Sequence, residues 1–169
     1  QWLVKLHEQT STVLFRLATL LGAGDRAQEI VHNSLFALYR RGHRVVDPNE
    51  RVELLQESVV HLARASRSAE GTVSLPRDKT GEHDPVLEVI DGLPLHLSEH
   101  LIVSHYLARF GPELASIMRM TLRRSNRRLE TALMAVHQAL DNPGSLEATS
   151  EQVMGALQAS ARAIHPPLG

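Results

Sequence analysis

The sequence contains no cysteine, only two lysines and few aromatic side chains. Without cysteine, the chain has no disulfide framework, no thiol nucleophile and no thiolate zinc site. It also contains no run of the roughly 18 apolar residues that a membrane-spanning helix needs. The segment Gln1-Trp2-Leu3-Val4 shows no basic stretch followed by an apolar one, so we expect no signal peptide and a cytoplasmic location.

The sequence does contain enough apolar material for a folded core. Its 169 residues are 43% hydrophobic, which is too apolar for a disordered protein and long enough for one sizeable core or two small ones. The net charge of −1 gives no overall attraction to nucleic acid, but the 18 basic residues comprise 16 arginines and 2 lysines. An interaction with nucleic acid therefore depends on where the arginines cluster.

Apolar residues recur at helical spacing over residues 1–68 and predict three helices. The first covers residues 2–21 and ends at a glycine-rich turn. Asp25 is a predicted N-cap of the second, and Asp47, with Pro48 at the first helical position, is the predicted N-cap of the third. These residues are expected to form one small helical domain.

Residues 69–84 lack helical periodicity, are polar and are interrupted by glycine and proline, so they predict a linker. A second domain is expected over residues 85–141, followed by a C-terminal helix and tail over residues 142–169. The helices after the linker are predicted to begin at Asp84, Ser98, Gly111, Thr121 and Ser145. No segment alternates with period two, so the expected fold is all-α: two small helical domains, a polar linker and an extra C-terminal helix.

Three of the ten histidines, His96, His100 and His105, are close together in the second half. The first two can share a helix face, but no glutamate follows His96, and the third lies about 140° around a helix from the second. We therefore favour partly exposed histidines over a metal site. Phosphate loops, nucleophile elbows and catalytically spaced carboxylates are also missing, so we expect neither an enzyme nor a cofactor.

Arginines are concentrated in residues 109–128, which contain six of them against the single acid Glu113, a local excess of +5. They are Arg109, Arg119, Arg123, Arg124, Arg127 and Arg128. The last four are expected on one side of a helix whose Leu122, Leu129 and Leu133 face the core. A short helix, a tight turn and a longer helix with arginines near its start is typical of a helix-turn-helix DNA reader. A solvated helix face and a protein-binding surface are the alternatives.

Several short segments carry a family resemblance by their order and spacing. They are Leu14–Gly22 with the Gly24-Asp25 turn, Gln28–Phe36, Asp47-Pro48 with Ser58–Arg64, Gly92-Leu93-Pro94 and Glu113–Leu133. Over about residues 10–141, this series resembles regions 2 and 4 of an extracytoplasmic-function sigma factor of bacterial RNA polymerase. The resemblance implies a region 2 three-helix bundle and a region 4 helix-turn-helix domain.

The resemblance also implies partners and site residues. Core RNA polymerase would bind the second helix, through Gln28, Glu29, Val31, His32 and Asn33. Promoter DNA would be contacted by Arg44, His61, Arg119, Arg123, Arg124, Asn126, Arg127 and Arg128. The first two of these would lie near the minus-ten element and the others at the minus-thirty-five element. An anti-sigma factor is left open as a further partner.

Departures from the family pattern motivate a second hypothesis. Gln28, His32 and Asn33 stand where the family has Glu, Gln and Glu, and Arg119 replaces the glycine of the helix-turn-helix turn. If that turn keeps its geometry, Arg119 must adopt a left-handed conformation. The second hypothesis is a divergent sigma-like regulatory or protein-interaction module that no longer initiates transcription. For the extra C-terminal helix, we favour a packing role over a regulatory one.

Overall fold

The computed structural model describes residues 2–67, 73–77 and 83–167, and every regular element in these ranges is helical. The prediction of an all-α fold is thereby confirmed. The chain divides into two compact units, one formed by Gln1–Gly71 with His165–Gly169 and the other by Thr72–Ile164.

The first unit contains three helices that pack pairwise against one another: α1 (Trp2–Leu20), α2 (Ala27–Arg41) and α3 (Pro48–Ser66). Their contact faces bury Leu14, Leu17, Leu55 and Val59 almost completely. Burial of this size stabilises the unit by about 1.5–3 kcal/mol for each large aliphatic side chain. The apolar stripes found in the sequence are therefore the faces that hold the three helices together.

Two of these helices had a predicted N-cap residue, and the structure confirms one of the two. At α3, the Asp47 carboxylate accepts a hydrogen bond from the backbone N–H of Asn49, and Pro48 occupies the first turn, as predicted. At α2, the prediction of Asp25 as N-cap is wrong. Gly24–Arg26 instead forms a single 3-10 turn that leads directly into α2. The N-cap residue of α2 is Arg26, and its side chain makes no capping hydrogen bond.

The second unit contains five helices: α4 (Pro85–Gly92), α5 (Leu95–Leu107), α6 (Gly111–Ile117), α7 (Leu122–Ala139) and α8 (Leu146–Arg162). Helix α5 packs against both α7 and α8, and α8 also packs against α4 and α7. All ten residues from Leu97 to Tyr106 are buried, so this part of α5 is enclosed on every side. The C-terminal helix α8 is an integral layer of this unit, which agrees with the packing role that we favoured.

Three helix starts in the second unit follow the predicted caps. The side chains of Asp84, Thr121 and Ser145 accept hydrogen bonds from backbone N–H groups in the first turns of α4, α7 and α8. The prediction for Ser98 is wrong, because α5 begins earlier, at Leu95. The Ser98 hydroxyl donates instead to the Leu95 carbonyl and is buried within the helix.

Part of the predicted linker packs against the second unit. Of residues 69–84, the ranges 69–72 and 78–82 lie outside the described residues, but 73–77 bury Val73 and Leu75. The Asp91 carboxylate accepts hydrogen bonds from the backbone N–H of Leu75 at 2.8 Å and from the Arg77 guanidinium at 2.7 Å. At least these five residues are therefore an ordered part of the second unit, which corrects the interpretation of the whole segment as a polar connection.

Candidate nucleic-acid and partner interfaces

Helices α6 and α7 are joined by a tight turn over residues 118–121. Arg119 lies in this turn with φ of +54°, the left-handed conformation that glycine adopts most easily. Its backbone N–H donates to the Ser116 carbonyl, and the N–H of Met120 donates to the Ala115 carbonyl, so the last carbonyls of α6 are satisfied. Arg119 thus has the left-handed conformation that was expected if the turn keeps the helix-turn-helix geometry.

The first turns of α7 present basic side chains to solvent. Arg123, Arg124, Asn126 and Arg127 are exposed, and Arg128 is half-buried. The first turn contains no acidic residue, and the Thr121 hydroxyl accepts the backbone N–H of Arg124. The positive end of the helix dipole and the arginine side chains therefore attract an anion at the same place.

The buried face of α7 differs from the predicted one. Leu122 is 44% exposed, so its assignment to the core is wrong, and Leu129 and Leu133 are only half-buried. The fully buried positions are instead Ser125, Ala132 and Val136. Small residues at these positions allow α7 to pack closely on α5. Ser125 also lies between the exposed Arg124 and Asn126.

Arg109 differs from the arginines of α7 because it forms an ion pair with Glu113, with 2.6 Å between guanidinium nitrogen and carboxylate oxygen. This pair joins the end of the α5–α6 connection to the first turn of α6. The carboxylate of Glu113 thus neutralises the charge of one of the six arginines in this segment. The basic surface available to a nucleic acid centres on the start of α7 and on the exposed Arg119.

Two of the three clustered histidines are core residues, which corrects our prediction that they are partly exposed. His100 and His105 are 0% and 1% exposed, whereas His96 is exposed. His100 Nε2 lies 3.0 Å from the Ser125 hydroxyl, so this ring is hydrogen-bonded to the residue between Arg124 and Asn126. This hydrogen bond joins the first turn of α7 to the buried helix α5.

His105 joins α5 to α8 in the same interior. Its Nδ1 lies 2.8 Å from the Ser104 hydroxyl and its Nε2 lies 2.6 Å from the Ser150 hydroxyl. Burial lowers the pKa of His105 from 6.5 to about 4, although a hydrogen bond with the backbone of Leu101 opposes the shift. A sequence signal for this burial exists, because Glu99 is the only Asp, Glu, Lys or Arg between Leu95 and Leu107.

The outer face of α2 carries most of the residues implied in polymerase binding. Gln28, Glu29, His32 and Asn33 are exposed, but Val31 is only 3% exposed and faces the core of the first unit. Glu29 lies 3.6 Å from Arg26 in an exposed ion pair. Four of the five implied residues are thus accessible on α2, whereas Val31 is buried in the core of the first unit.

An open groove of about 490 Å³ lies between α1 and α2 beside this surface. It is lined by Leu3, Val4, His7, His32, Leu35, Phe36 and Tyr39. Phe36 is 55% exposed and Tyr39 is 52% exposed, with the Arg40 guanidinium 4.5 Å above the Phe36 ring. We refer to this as the apolar groove. The sequence analysis did not predict this groove.

A second concave region continues from the apolar groove past His7 and His32, whose ring centres are 6.4 Å apart. It has a volume of about 330 Å³ and is lined by Ser11, Thr12, Phe15, Gln28 and Val31, and also by Pro166 and Pro167. We refer to this region as the tail site, because the two prolines belong to the C-terminal segment that groups with the first unit.

The remaining implied DNA contacts belong to the first unit. Arg44 is exposed at the end of the 3-10 turn Gly42–Arg44, and His61 is half-buried on α3. The arginines of α7 belong to the second unit. The implied DNA-binding residues thus form two separate sets, one in each unit.

Within the described ranges, no group of three or more histidine, aspartate or glutamate side chains is arranged to hold a metal ion. Nor is any helix of the described chain long and apolar enough to cross a membrane. No protein-family model matches the chain, and no curated protein or solved structure matches it either.

Proposed function

We propose that this protein is a sigma-factor-like transcription initiation protein that binds core RNA polymerase and recognises promoter DNA. The observation that carries the proposal is the start of α7, where Arg123, Arg124 and Arg127 are exposed beside the Thr121 cap, after a turn that contains Arg119 in the left-handed conformation. A helix with this arrangement can enter the major groove by its N-terminal end.

The arginines suit two kinds of contact with DNA. The guanidinium fork binds guanine O6 and N7, or a phosphate group, with two parallel hydrogen bonds. Phosphate contacts supply much of the affinity and base contacts supply the selectivity. The bond between His100 and Ser125 supports both, because it fixes the rotation of α7 beneath Arg124 and Asn126.

Polymerase binding is assigned to the exposed face of α2, with Gln28, Glu29, His32 and Asn33 as the contact residues. These side chains are mostly neutral and polar, so hydrogen bonding and shape would contribute more than charge. Arg44 and His61 are the proposed contacts to the minus-ten region. No chemical reaction is involved: the proposed activity is selective DNA binding coupled to strand opening.

The test is transcription in vitro with the full chain, core RNA polymerase and a pool of random promoter DNA. We expect products that share one selected sequence motif, and we expect the chain to co-purify with core polymerase. With the Arg124→Ala variant, the selected sequences should no longer share a preferred base at part of the motif. Arg162→Ala, at the exposed end of α8, should select the same motif as the unchanged chain. No product with any template would overturn the proposal.

A second candidate function is a divergent sigma-like module that regulates through protein contacts and does not initiate transcription. The observation that favours it is the apolar groove, where the exposed Phe36 and Tyr39 lie next to the implied polymerase contacts. Exposed aromatic side chains are typical of protein interfaces. Co-purification with core polymerase but no transcript, or binding to neither polymerase nor DNA, would favour this candidate.

A further inference from the structure

One wall of the tail site is formed by the C-terminal segment of the same chain. Pro166 is half-buried, and both Pro166 and Pro167 form part of this wall, which also contains Phe15 and Val31. Proline segments enter such apolar and aromatic surfaces at low entropic cost, because their extended conformation is already fixed. The other side chains of this wall are polar: Ser11, Thr12, Gln28 and the two histidines His7 and His32.

The tail site overlaps the α2 surface of the proposed function. Gln28 and His32 line the tail site and are also proposed polymerase contacts, and His32 continues into the apolar groove. A partner that covers the outer face of α2 would therefore meet the prolines at one end of its footprint. The tail and the partner would then compete for the same residues.

We propose that Pro166 and Pro167 form an intramolecular ligand of the α1–α2 groove that covers the Gln28 and His32 end of α2 until a partner displaces it. Binding of the tail is a property of the first unit alone, whereas the identity of the partner, core polymerase, rests on the proposed function. The tail lowers the apparent affinity of the partner by the fraction of time that it occupies the site.

The first experiment measures the tail site without polymerase. Pro166→Asp in the full chain places a carboxylate in the half-buried wall that also contains Phe15 and Val31, and should release the tail. A synthetic peptide of residues 164–169 is then titrated while the ring signals of Phe15 and His32 are followed by nuclear magnetic resonance. We expect saturable binding to the Pro166→Asp chain and several-fold weaker binding to the unchanged chain, whose own tail competes.

Two matched surface variants of α1 locate the binding. Thr12 lines the tail site and Gln9 does not, and both are exposed. When added to the Pro166→Asp chain, Thr12→Arg should abolish peptide binding and Gln9→Arg should leave it unchanged. No peptide binding, or equal binding by both arginine variants, would overturn the proposal whatever polymerase does.

The second experiment compares the affinity for core polymerase of the unchanged chain, Pro166→Asp and His165→Asp. His165 is exposed and does not line the tail site, so its variant adds the same charge to the same segment. A tail that occupies its site about four-fifths of the time predicts about fivefold tighter binding for Pro166→Asp and no change for His165→Asp. Equal affinities in all three would overturn the competition. If none of the three binds polymerase, the proposed function fails, and peptide binding alone decides whether the tail occupies the groove.

Discussion

His105 Nε2 lies 2.6 Å from the hydroxyl of Ser150, and this bond joins α5 to the C-terminal helix α8 inside the second unit. The other ring nitrogen lies 2.8 Å from the Ser104 hydroxyl. A neutral imidazole donates one hydrogen bond and accepts the other, whereas a protonated ring must donate both. Both hydroxyl groups can accept as well as donate, so it is burial that favours the neutral ring and lowers the pKa of His105.

The stability of the second unit should fall when the solution is made acidic. Because the pKa of His105 is about 4 in the folded protein and 6.5 in the unfolded chain, only the unfolded chain binds this proton between those values. The contribution is complete above pH 6.5 and is lost progressively towards pH 4, with a loss of about 2 kcal/mol at pH 5. Urea unfolding at pH 7.5 and pH 5 measures it.

Variants at two histidines separate this effect from general acid sensitivity. His105→Gln should be less stable at pH 7.5 and should lose most of the dependence on pH. His96→Gln changes an exposed histidine and should keep that dependence. Identical pH dependence in the unchanged chain and in His105→Gln would contradict the assignment to His105.

Replacing Ala108 by glycine should stabilise the protein. Ala108 ends α5 with φ of 53° and ψ of 45°, a left-handed conformation that is strained for a residue with a Cβ atom. Ala108→Gly removes the strain but increases the freedom of the unfolded chain, so the expected net gain is about 0.5–1 kcal/mol. The matched control is Ala163→Gly, at φ of −74°, which should destabilise. Thermal unfolding of the two variants in opposite directions would establish the strain, and a loss of stability in both would argue against it.

Salt dependence should distinguish the roles of the α7 arginines. Arg124→Ala or Arg127→Ala should cost on the order of 1–3 kcal/mol and relax selectivity at one position if the side chain binds a base. If it binds a phosphate, the variant should lower the salt slope by about 1 for all sequences. Titration of promoter DNA at several salt concentrations measures both, with Arg162→Ala as control. Unchanged affinity in both α7 variants would remove α7 as the recognition helix.

Asp91→Ala should release residues 73–77 from the second unit. The Asp91 carboxylate holds the backbone N–H of Leu75 and the Arg77 guanidinium, and neither Asp91 nor Arg77 is more than one-third exposed at its side chain. The loss should cost about 1–2 kcal/mol and make this segment a preferred site of limited proteolysis. Glu88 lies on the same helix as Asp91 and forms an exposed pair with His83. Glu88→Gln should therefore change stability by less than about 0.5 kcal/mol. Equal protease resistance in the Asp91→Ala variant and the unchanged chain would contradict this role.

Helix boundaries were the part of the fold most open to prediction. The caps at Asp47, Asp84, Thr121 and Ser145 depend on a side chain and on N–H groups no more than three residues away, so the local sequence contains the whole interaction. The left-handed turn at Arg119 is similar, because the bonds that define it lie between residues 115 and 120. The arginines at the start of α7 were also visible in the sequence, as a run of charge.

Burial and long-range contacts were decided by tertiary packing. His100 and His105 are polar residues that become core residues only because α7 and α8 place Ser125 and Ser150 opposite them. For the same reason Leu122 is 44% exposed although it is apolar, since the helix surface that meets α5 contains Ser125 and Ala132. The sequence alone determined the helices and their charged ends, because those signals act over three or four residues. Tertiary structure decided which faces are buried and where the prolines of the tail lie, because those contacts join residues that are far apart in the chain.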